Sequence, residues 1–172
     1  MSDISTLYTT ERLVVRRLFD YDLDAMHSVY GDVEVNRFVD DGQPLSREQC
    51  DEWIEITKRN YRERGYGMSA IVLTDSAEVI GFVGVVHPKD QREAELKYAL
   101  ARGQWGQGLA TEAARGMLEY AQRRLGLTRV IATIHPAHVK SQAVALKAGM
   151  RFVRELANSD GTTTHLYAWV AE

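Results

Sequence analysis

Gly106 and Gly108 stand between a short apolar segment and a long amphipathic one. Glycine lets the backbone turn tightly and approach a ligand with no Cβ in the way. The amphipathic segment, residues 111–125, predicts a helix that presents unpaired N–H groups and the positive end of its dipole to the turn. This combination favours a site for a phosphate or pyrophosphate, although a plain strand-to-helix turn has the same pattern.

The turn does not match the two best-known nucleotide-binding motifs. A P-loop requires the pattern G-x-x-x-x-G-K-[ST], which the chain lacks. A Rossmann fingerprint requires a third glycine and an acidic residue near the end of the next strand. Thr111 stands in place of that glycine, and the next predicted strand ends in Ile134-His135-Pro136. Both classes are therefore disfavoured.

The spacing of apolar residues predicts strands and helices on both sides of this turn. The predicted strands are 13–18, 68–73, 79–87, 94–100, 130–134, 151–156 and 163–170. The predicted helices are 22–30, 46–64, 111–125 and 141–148. We expect Asp22 to cap the first helix, Ser46 and Gln49 to form a capping box on the second, and Gly126 to end the third. The order β α α β β β α β α β β predicts a mixed sheet with helices on its faces, in one domain spanning residues 1–172.

Composition limits the class of protein. With 172 residues, 45% hydrophobic and 26% charged, the chain is ordinary for one globular domain. It has no apolar run that could cross a bilayer and no signal-peptide pattern, so we expect a cytoplasmic protein without membrane contact. The single cysteine, Cys50, fits a reducing compartment and is expected to be a small core residue. No Cys/His cluster has metal-ligand spacing, so no metal is predicted.

Charge is unevenly distributed along the chain. Residues 1–55 carry 13 Asp or Glu against 5 Lys or Arg, a balance of −8. The remainder carries 11 against 16, a balance of +5, which gives the net charge of −3. A basic half suits a polyanionic cofactor and an acidic half suits a cationic substrate. The basic residues are scattered, which argues against nucleic-acid binding.

Several segments together carry a family resemblance. They are residues 10–13, 80–84, 105–113 and 125–130, with Ser141 eight positions before Gly149. On these residues the chain, from residue 11 onward, resembles the GNAT superfamily of N-acetyltransferases, and most closely its branch of ribosomal-protein N-terminal acetyltransferases. The resemblance implies an α/β (α+β) fold: a mixed, mostly antiparallel sheet with a central splayed strand pair, flanked by about four helices. It also implies acetyl-CoA (coenzyme A) as the cofactor.

The resemblance assigns residues that would hold this cofactor. The pantetheine arm would pair like an extra strand with the backbone near Tyr98, Ala99, Leu100 and Arg102. The pyrophosphate would accept backbone N–H groups from the turn and the helix start, at Gly106, Gln107, Gly108, Leu109, Ala110 and Thr111. Trp105 and His138 stand where the family usually has an arginine or glutamine and an asparagine. A cofactor contact of His138 therefore stays open.

Acetyl transfer to an amine requires a neutral amine, a polarised carbonyl and a route for the proton. Glu95 is the candidate base, because a carboxylate inside a sheet is costly unless it meets water, a partner or a substrate. The resemblance supports this role, since many family members carry glutamate there. The alternative is a salt bridge beside Lys97, and Glu93 is a second candidate base on the same face.

The proton donor and the oxyanion donor are less clear from the sequence. The family's usual tyrosine acid is replaced by Ala145, so Ser141 is the candidate contact to the cofactor thiol. Ser141 could also be the N-cap of its helix, and the two roles can coexist. A backbone N–H near Leu100 would polarise the thioester carbonyl, a contribution of about 3–4 kcal/mol in comparable sites.

Phe38, Trp53, Met68 and His135 could line an acceptor site, although each also fits a plain core or loop position. An α-amine with a pKa of about 8 is roughly a tenth neutral at pH 7, whereas lysine is roughly 0.04% neutral. A protein or peptide N-terminus, or a small amine, therefore needs less help from a base. The leading hypothesis is an N-acetyltransferase, monomeric or homodimeric, for such amines. The competing hypothesis is a non-catalytic acyl-CoA binding or sensing domain.

Overall fold

The computed structural model describes residues 5–172, and within this range the strands form one eight-stranded sheet. The strands are β1 Thr6–Thr9, β2 Leu13–Arg17, β3 Met68–Leu73, β4 Val79–Val86, β5 Glu95–Leu100, β6 Arg129–Ile134, β7 Arg151–Ala157 and β8 Thr163–Val170. The helices are α1 Leu23–Tyr30, α2 Val33–Asn36, α3 Arg47–Arg64, α4 Leu109–Leu125 and α5 Val139–Lys147. The strand order is β1-β2-β3-β4-β5-β6-β8-β7, and of these neighbours β5 and β6 run parallel while the others run antiparallel.

Helices cover both faces of the sheet, and the alternation of side chains along the strands divides the core into two halves. Val83 and its partner Tyr98 belong to the half that packs against α4 and α5. Phe82 and its partner Ala99 belong to the half that packs against α1 and α3. Cys50 is fully buried in this second half, which confirms its expected place in the core.

The predicted sheet-and-helix pattern is confirmed, and two short elements are added. β1 and α2 have four residues each, too few for a periodic pattern to be recognised. β1 pairs with β2, and α2 begins where the Asp32 carboxylate accepts the N–H of Glu34 at 2.9 Å. The capping box of α3 is confirmed: Ser46 Oγ accepts the Gln49 N–H at 3.2 Å, and Gln49 Oε1 accepts the Ser46 N–H at 2.8 Å. Gly126 ends α4 with φ +67°, as predicted.

Helices α4 and α5 each begin two residues before their predicted starts, with Gly108 and His138 at the N-cap positions. Ser141 therefore lies inside α5, and its expected role as the N-cap is wrong. The first residues of α5 are exposed, Val139 at 69%, so the apolar pattern begins only where the helix meets the sheet.

The predicted cap of α1 also differs. Asp22 stands at the N-cap of α1, but its carboxylate accepts hydrogen bonds from the Arg16 guanidinium and the Phe19 N–H instead. The ion pair with Arg16 is nearly buried on the Asp22 side, where only 2% of the side chain is exposed. The charged Arg16 side chain thus outcompetes the local helix end for this carboxylate.

The central feature of the sheet is the separation of β5 from β6. Their only register pair within residues 5–172 is Glu95 with Ile131, where the Ile131 N–H donates to the Ala94 carbonyl at 2.9 Å. Beyond this point β5 follows β4, and the Ala101 N–H donates to Ile80 at 2.8 Å. Because backbone groups alternate sides along a strand, the N–H groups of Tyr98 and Leu100 point to the opening on the β6 side. The expected splayed pair is confirmed.

No helix among residues 5–172 is long and apolar enough to cross a membrane. In the same range, no group of three or more His, Cys, Asp or Glu side chains is arranged to hold a metal ion.

Candidate active site

The glycine turn has the backbone geometry that its sequence predicts. Gly106 and Gly108 have φ values of +77° and +78°, in the left-handed region that side chains with a Cβ rarely adopt. α4 starts directly after Gly108, and its first intrahelical bond runs from the Glu112 N–H to the Gly108 carbonyl at 3.0 Å. The N–H groups of Leu109, Ala110 and Thr111 precede that bond, so the first turn of α4 offers donors toward the turn. The arrangement suits a bound anion.

Arg12, directly before β2, holds this turn against the sheet. Its Nη1 donates to the Gln107 carbonyl at 2.9 Å, and its Nε donates to Glu112 Oε2 at 2.7 Å. Glu112 also accepts the Arg12 N–H at 2.9 Å and the Thr10 hydroxyl at 2.5 Å. Partial burial alone would raise the pKa of Glu112, but these hydrogen bonds outweigh it and the pKa lies below its ordinary value. A carboxylate in the first turn of α4 is therefore held charged by Arg12.

Removal of the Arg12 side chain is expected to weaken CoA binding by about 3- to 10-fold. The hydrogen bond from Arg12 to the Gln107 carbonyl is partly solvated, and a lost hydrogen bond of this kind costs about 0.5–1.5 kcal/mol. Arg12→Ala frees the Gln107 carbonyl and leaves the turn less ordered. Isothermal titration of CoA measures the effect. Arg123→Ala is the matched control, because Arg123 forms an Arg–Glu pair with Glu119 in the last turns of the same helix, at 3.0 Å. Equal affinities of Arg12→Ala and Arg123→Ala for CoA would contradict the prediction that Arg12 orders the glycine turn.

Trp105 forms one wall of the opening beside β5. Its indole Nε1 donates to the Leu100 carbonyl at 3.0 Å, and Lys140 Nζ lies 5.4 Å from its ring centre. The Leu100 carbonyl and N–H point to the same side of the strand, so this indole bond uses the acceptor and leaves the N–H facing the opening. The N–H and the carbonyl of Ala99 face β4 instead. Arg102 points to Asp32, with 2.8 Å between Nη2 and Oδ2.

Glu95 lies where β5 and β6 part, and its side chain is buried. Oε1 accepts the Thr133 N–H at 3.3 Å, the Thr133 hydroxyl and the Lys97 ammonium at 2.8 Å. Oε2 accepts the Gln91 side-chain amide at 3.0 Å. The Thr133 N–H of β6 thus donates to the Glu95 carboxylate, because the backbone of β5 has already separated from β6 at this point. The Lys97 salt bridge, the alternative that the sequence offered for Glu95, is formed, and the role of base stays a prediction. Glu93 faces out and pairs with Arg129 at 2.7 Å.

Tyr98 and Ser141 meet across the other side of the opening. The Tyr98 hydroxyl donates to the Ser141 carbonyl at 3.0 Å and lies 2.7 Å from Ser141 Oγ. Ser141 is 9% exposed, and Ala145, one turn further along α5, is fully buried. Burial raises the pKa of Tyr98 to about 12, so the phenol keeps its proton at neutral pH.

A cleft of about 290 Å³ lies between Trp105, the residues around α2 and the start of α5. It is lined by Glu34, Arg37, Phe38, Trp105, Ala137, His138, Val139 and Lys140. The Phe38 ring stacks on His138, with 4.7 Å between ring centres, and lies 5.2 Å from His135. The structure thus brings Phe38, His135 and His138 together. It places Met68 and Trp53 elsewhere: Met68 is 7% exposed in the α1/α3 half of the core, and Trp53 packs on Tyr30.

His138 is expected to make the protein less stable as the pH falls. Burial, with help from His135 and Lys140, places its pKa below the ordinary value of about 6.5. Between the two pKa values the unfolded chain binds more protons than the folded chain, so this group's contribution to stability is complete above pH 6.5 and is lost as the pH decreases. Urea unfolding from pH 8 to pH 5 should therefore show a shallower pH dependence in His138→Gln. At pH 8 the difference in the free energy of unfolding between the wild type and His138→Gln reports the packing of the side chain alone. Parallel pH dependences of the two proteins would contradict the prediction.

Four contacting residues were not recognisable as site residues in the sequence: Arg12, Thr133, Gln91 and, through its side chain, Tyr98. Arg12 belongs to a segment that carries the family resemblance, but nothing in its spacing points to residue 107 or 112, about a hundred positions away. Thr133 and Gln91 touch Glu95 only because two strands separate at that point. The local signal in each case is a polar residue in or beside an apolar strand, which is too common to select a site.

Comparisons with known proteins identify the family and the fold. Residues 12–151 match the family described as acetyltransferase (GNAT) domain. The uncharacterized N-acetyltransferase p20 of Bacillus licheniformis is 28% identical over 153 residues, 88% of this chain and 84% of that protein. An acetyltransferase structure from Agrobacterium tumefaciens str. C58 is 27% identical with a TM-score of 0.81, covering 98% of this chain and 96% of that one. RimL, a ribosomal-protein alpha-N-acetyltransferase solved with coenzyme A, is 18% identical with a TM-score of 0.79, covering 96% and 98%, and this likeness shows the fold alone.

Proposed function

The chain belongs to the GNAT acetyltransferase family, and from that premise we propose that it transfers an acetyl group from acetyl-CoA to the primary amine of a peptide N-terminus or a small molecule. The observation that carries the proposal is the opening between β5 and β6, which lies beside the glycine turn and has a buried carboxylate at its inner end. The proposal takes the opening as the slot for an extended arm, the turn as the anion site and the carboxylate as the base. The RimL neighbour, solved with coenzyme A, is consistent with this proposal.

The backbone fits the proposed cofactor at two places. The N–H groups of Leu109, Ala110 and Thr111 would hold the pyrophosphate, with Gly106 and Gly108 allowing close approach. The N–H groups of Tyr98 and Leu100 would pair with the pantetheine arm, as one strand pairs with another. Acetyl-CoA supplies the activated acetyl group when it is bound. The Leu100 N–H, which faces the opening, is the proposed donor to the acetyl oxygen.

Glu95 is the proposed acceptor of the amine proton. Of its two oxygens, Oε1 already accepts three donors, whereas among the described residues Oε2 accepts only the Gln91 amide. An ionised carboxylate has about four acceptor sites, so Oε2 is the atom to which a proton can move. Lys97 Nζ, at 2.8 Å from Oε1, marks the place where an ammonium group is stabilised. An acceptor amine would enter on this side of the sheet.

The class of amine follows from the base. Relative to an α-amine, a lysine acceptor costs about 3–4 kcal/mol more to deprotonate at pH 7. A carboxylate is in general a weak base, which favours an acceptor amine that is partly neutral in solution. We therefore propose an N-terminal α-amine or a small amine as the substrate, in preference to a lysine side chain.

Thiol release from acetyl-CoA tests the proposal with matched acceptors. One peptide carries a free N-terminus and an acetylated lysine, and a second of the same sequence carries an acetylated N-terminus and a free lysine. Polyamines and aminoglycosides complete the panel. Turnover with the first peptide or with a small amine is expected, and faster turnover with the second peptide would overturn the substrate class. CoA binding without turnover of any acceptor would favour the competing acyl-CoA sensing domain, which the replacement of the usual tyrosine by Ala145 also suits.

A further inference from the structure

Tyr98 connects the two sides of the opening through a side chain rather than through backbone. It belongs to β5, and its hydroxyl reaches Ser141 in α5, 43 positions along the chain. Two contacts are formed, one to the Ser141 carbonyl at 3.0 Å and one to the Ser141 hydroxyl at 2.7 Å. β5 and β6 share a single register pair among the described residues. The Tyr98 phenol therefore connects β5 to α5 at a place where the two strands have separated.

The two contacts cannot use the same proton. A phenol has one hydrogen to donate and can accept through its oxygen. When Tyr98 donates to the Ser141 carbonyl, the short contact between the hydroxyls requires Ser141 to donate to Tyr98. When Tyr98 donates to Ser141 Oγ instead, the Ser141 hydroxyl no longer donates to Tyr98. Its hydrogen can then point to a third atom. The pair therefore has two hydrogen-bond arrangements with the same heavy-atom positions.

We propose that Tyr98 is a positioning residue that orients the Ser141 hydroxyl toward the sulfur of the bound cofactor. This inference rests on the proposed function, since it takes the occupant of the opening to be CoA or its acetyl ester. With the cofactor present, the phenol donates to Ser141 Oγ and the serine proton points to sulfur. With the cofactor absent, the Ser141 hydroxyl again donates its hydrogen bond to Tyr98 Oη. No covalent bond changes in this step, and both hydroxyl groups keep their protons.

Three features of the site support this role. The Tyr98 pKa is raised by burial, so the phenol stays a donor across the neutral range. Ala145 provides no polar group on the buried face of α5, and Ser141 is the only hydroxyl side chain in that helix. Tyr167, a second buried tyrosine in the same half of the core, contacts Gln142 at 3.4 Å and not Ser141.

The test compares the affinities of CoA and desulfo-CoA, which lacks the sulfur atom, and needs no turnover. The wild type is expected to bind CoA about 3- to 10-fold more tightly than desulfo-CoA, the range of one hydrogen bond. Tyr98→Phe and Ser141→Ala should each bring this ratio close to one. The double variant should resemble Ser141→Ala, because Tyr98 acts only through the serine. Tyr167→Phe is the matched control and should keep the wild-type ratio.

Each result decides the proposal. A wild type without preference for CoA, a Tyr98→Phe variant with the wild-type ratio, or effects of the two substitutions that multiply would overturn it. If Tyr98→Phe does not fold, replacement of Tyr98 by 3-fluorotyrosine keeps the shape and strengthens the donor, so the ratio should rise; an unchanged ratio would overturn the proposal. Failure of every acceptor amine with the CoA preference intact would overturn the proposed function and leave this inference standing.

Discussion

Glu95→Gln is expected to lower kcat by about 10²- to 10⁴-fold, the usual effect of losing a general base. KM for acetyl-CoA should change little, because the proposed cofactor contacts come from the backbone of β5 and α4. Glutamine is nearly isosteric with glutamate, and its amide oxygen can still accept the Thr133 N–H and hydroxyl. The substitution thus removes the charge and the proton acceptor while it keeps the tie to β6. Steady-state thiol release with the best acceptor of the panel measures the effect.

The control for this prediction separates a base from a structural tie. Thr133→Val removes the hydroxyl that donates to Glu95 Oε1 and leaves the carboxylate in place. If Glu95 works as a base, Thr133→Val should retain most of the activity. Equal losses in the two variants would mean that the carboxylate acts by holding β6 beside β5, and that the amine loses its proton elsewhere. Lys97, with 42% of its side chain exposed, can be solvated in Glu95→Gln and does not become a buried unpaired charge.

The parts of the site that the sequence predicted are those encoded by neighbouring residues. The glycine turn needs two positive φ angles, which only glycine adopts readily, and it is followed at once by a 17-residue amphipathic helix. Strands β3 to β6 each contain at least four apolar residues, which predicts the strands themselves more firmly than their ends. The capping box of α3 is a local signal that spans only the four residues 46–49, and its prediction is confirmed.

The contacts that make the site specific join distant positions. Arg12 meets Gln107, Tyr98 meets Ser141 and Glu95 meets Thr133, at separations of 95, 43 and 38 residues. The last two depend on how far β5 and β6 diverge, and a one-residue change of register between these strands would break both. Ser141 shows the limit in the other direction: local rules favoured a helix cap, whereas the structure places its hydroxyl inside α5 against Tyr98.

Gly106→Val is expected to weaken CoA binding by about 10- to 100-fold. Gly106 has φ +77°, a conformation that costs a β-branched residue about 1–3 kcal/mol. A Cβ at Gly106 would meet no atom within 4 Å, so the cost is one of backbone conformation and not of collision. The cheapest relief is a change of φ, which would rotate the neighbouring N–H groups away from the bound anion. Titration with CoA, accompanied by the melting temperature of each variant, measures the loss.

The comparison that isolates the pyrophosphate contact uses two ligands and one control. Pantetheine contains the arm of CoA but no pyrophosphate, so Gly106→Val should weaken pantetheine far less than CoA if the turn binds the anion. Gly103→Ala changes a glycine in the same connection that has a negative φ and open space around its Cβ, and it should bind both ligands as the wild type does. A similar loss for CoA and pantetheine in Gly106→Val would mean that the strain distorts the whole opening. The turn would then act as a structural hinge between β5 and α4, and the anion would have to be held by other groups.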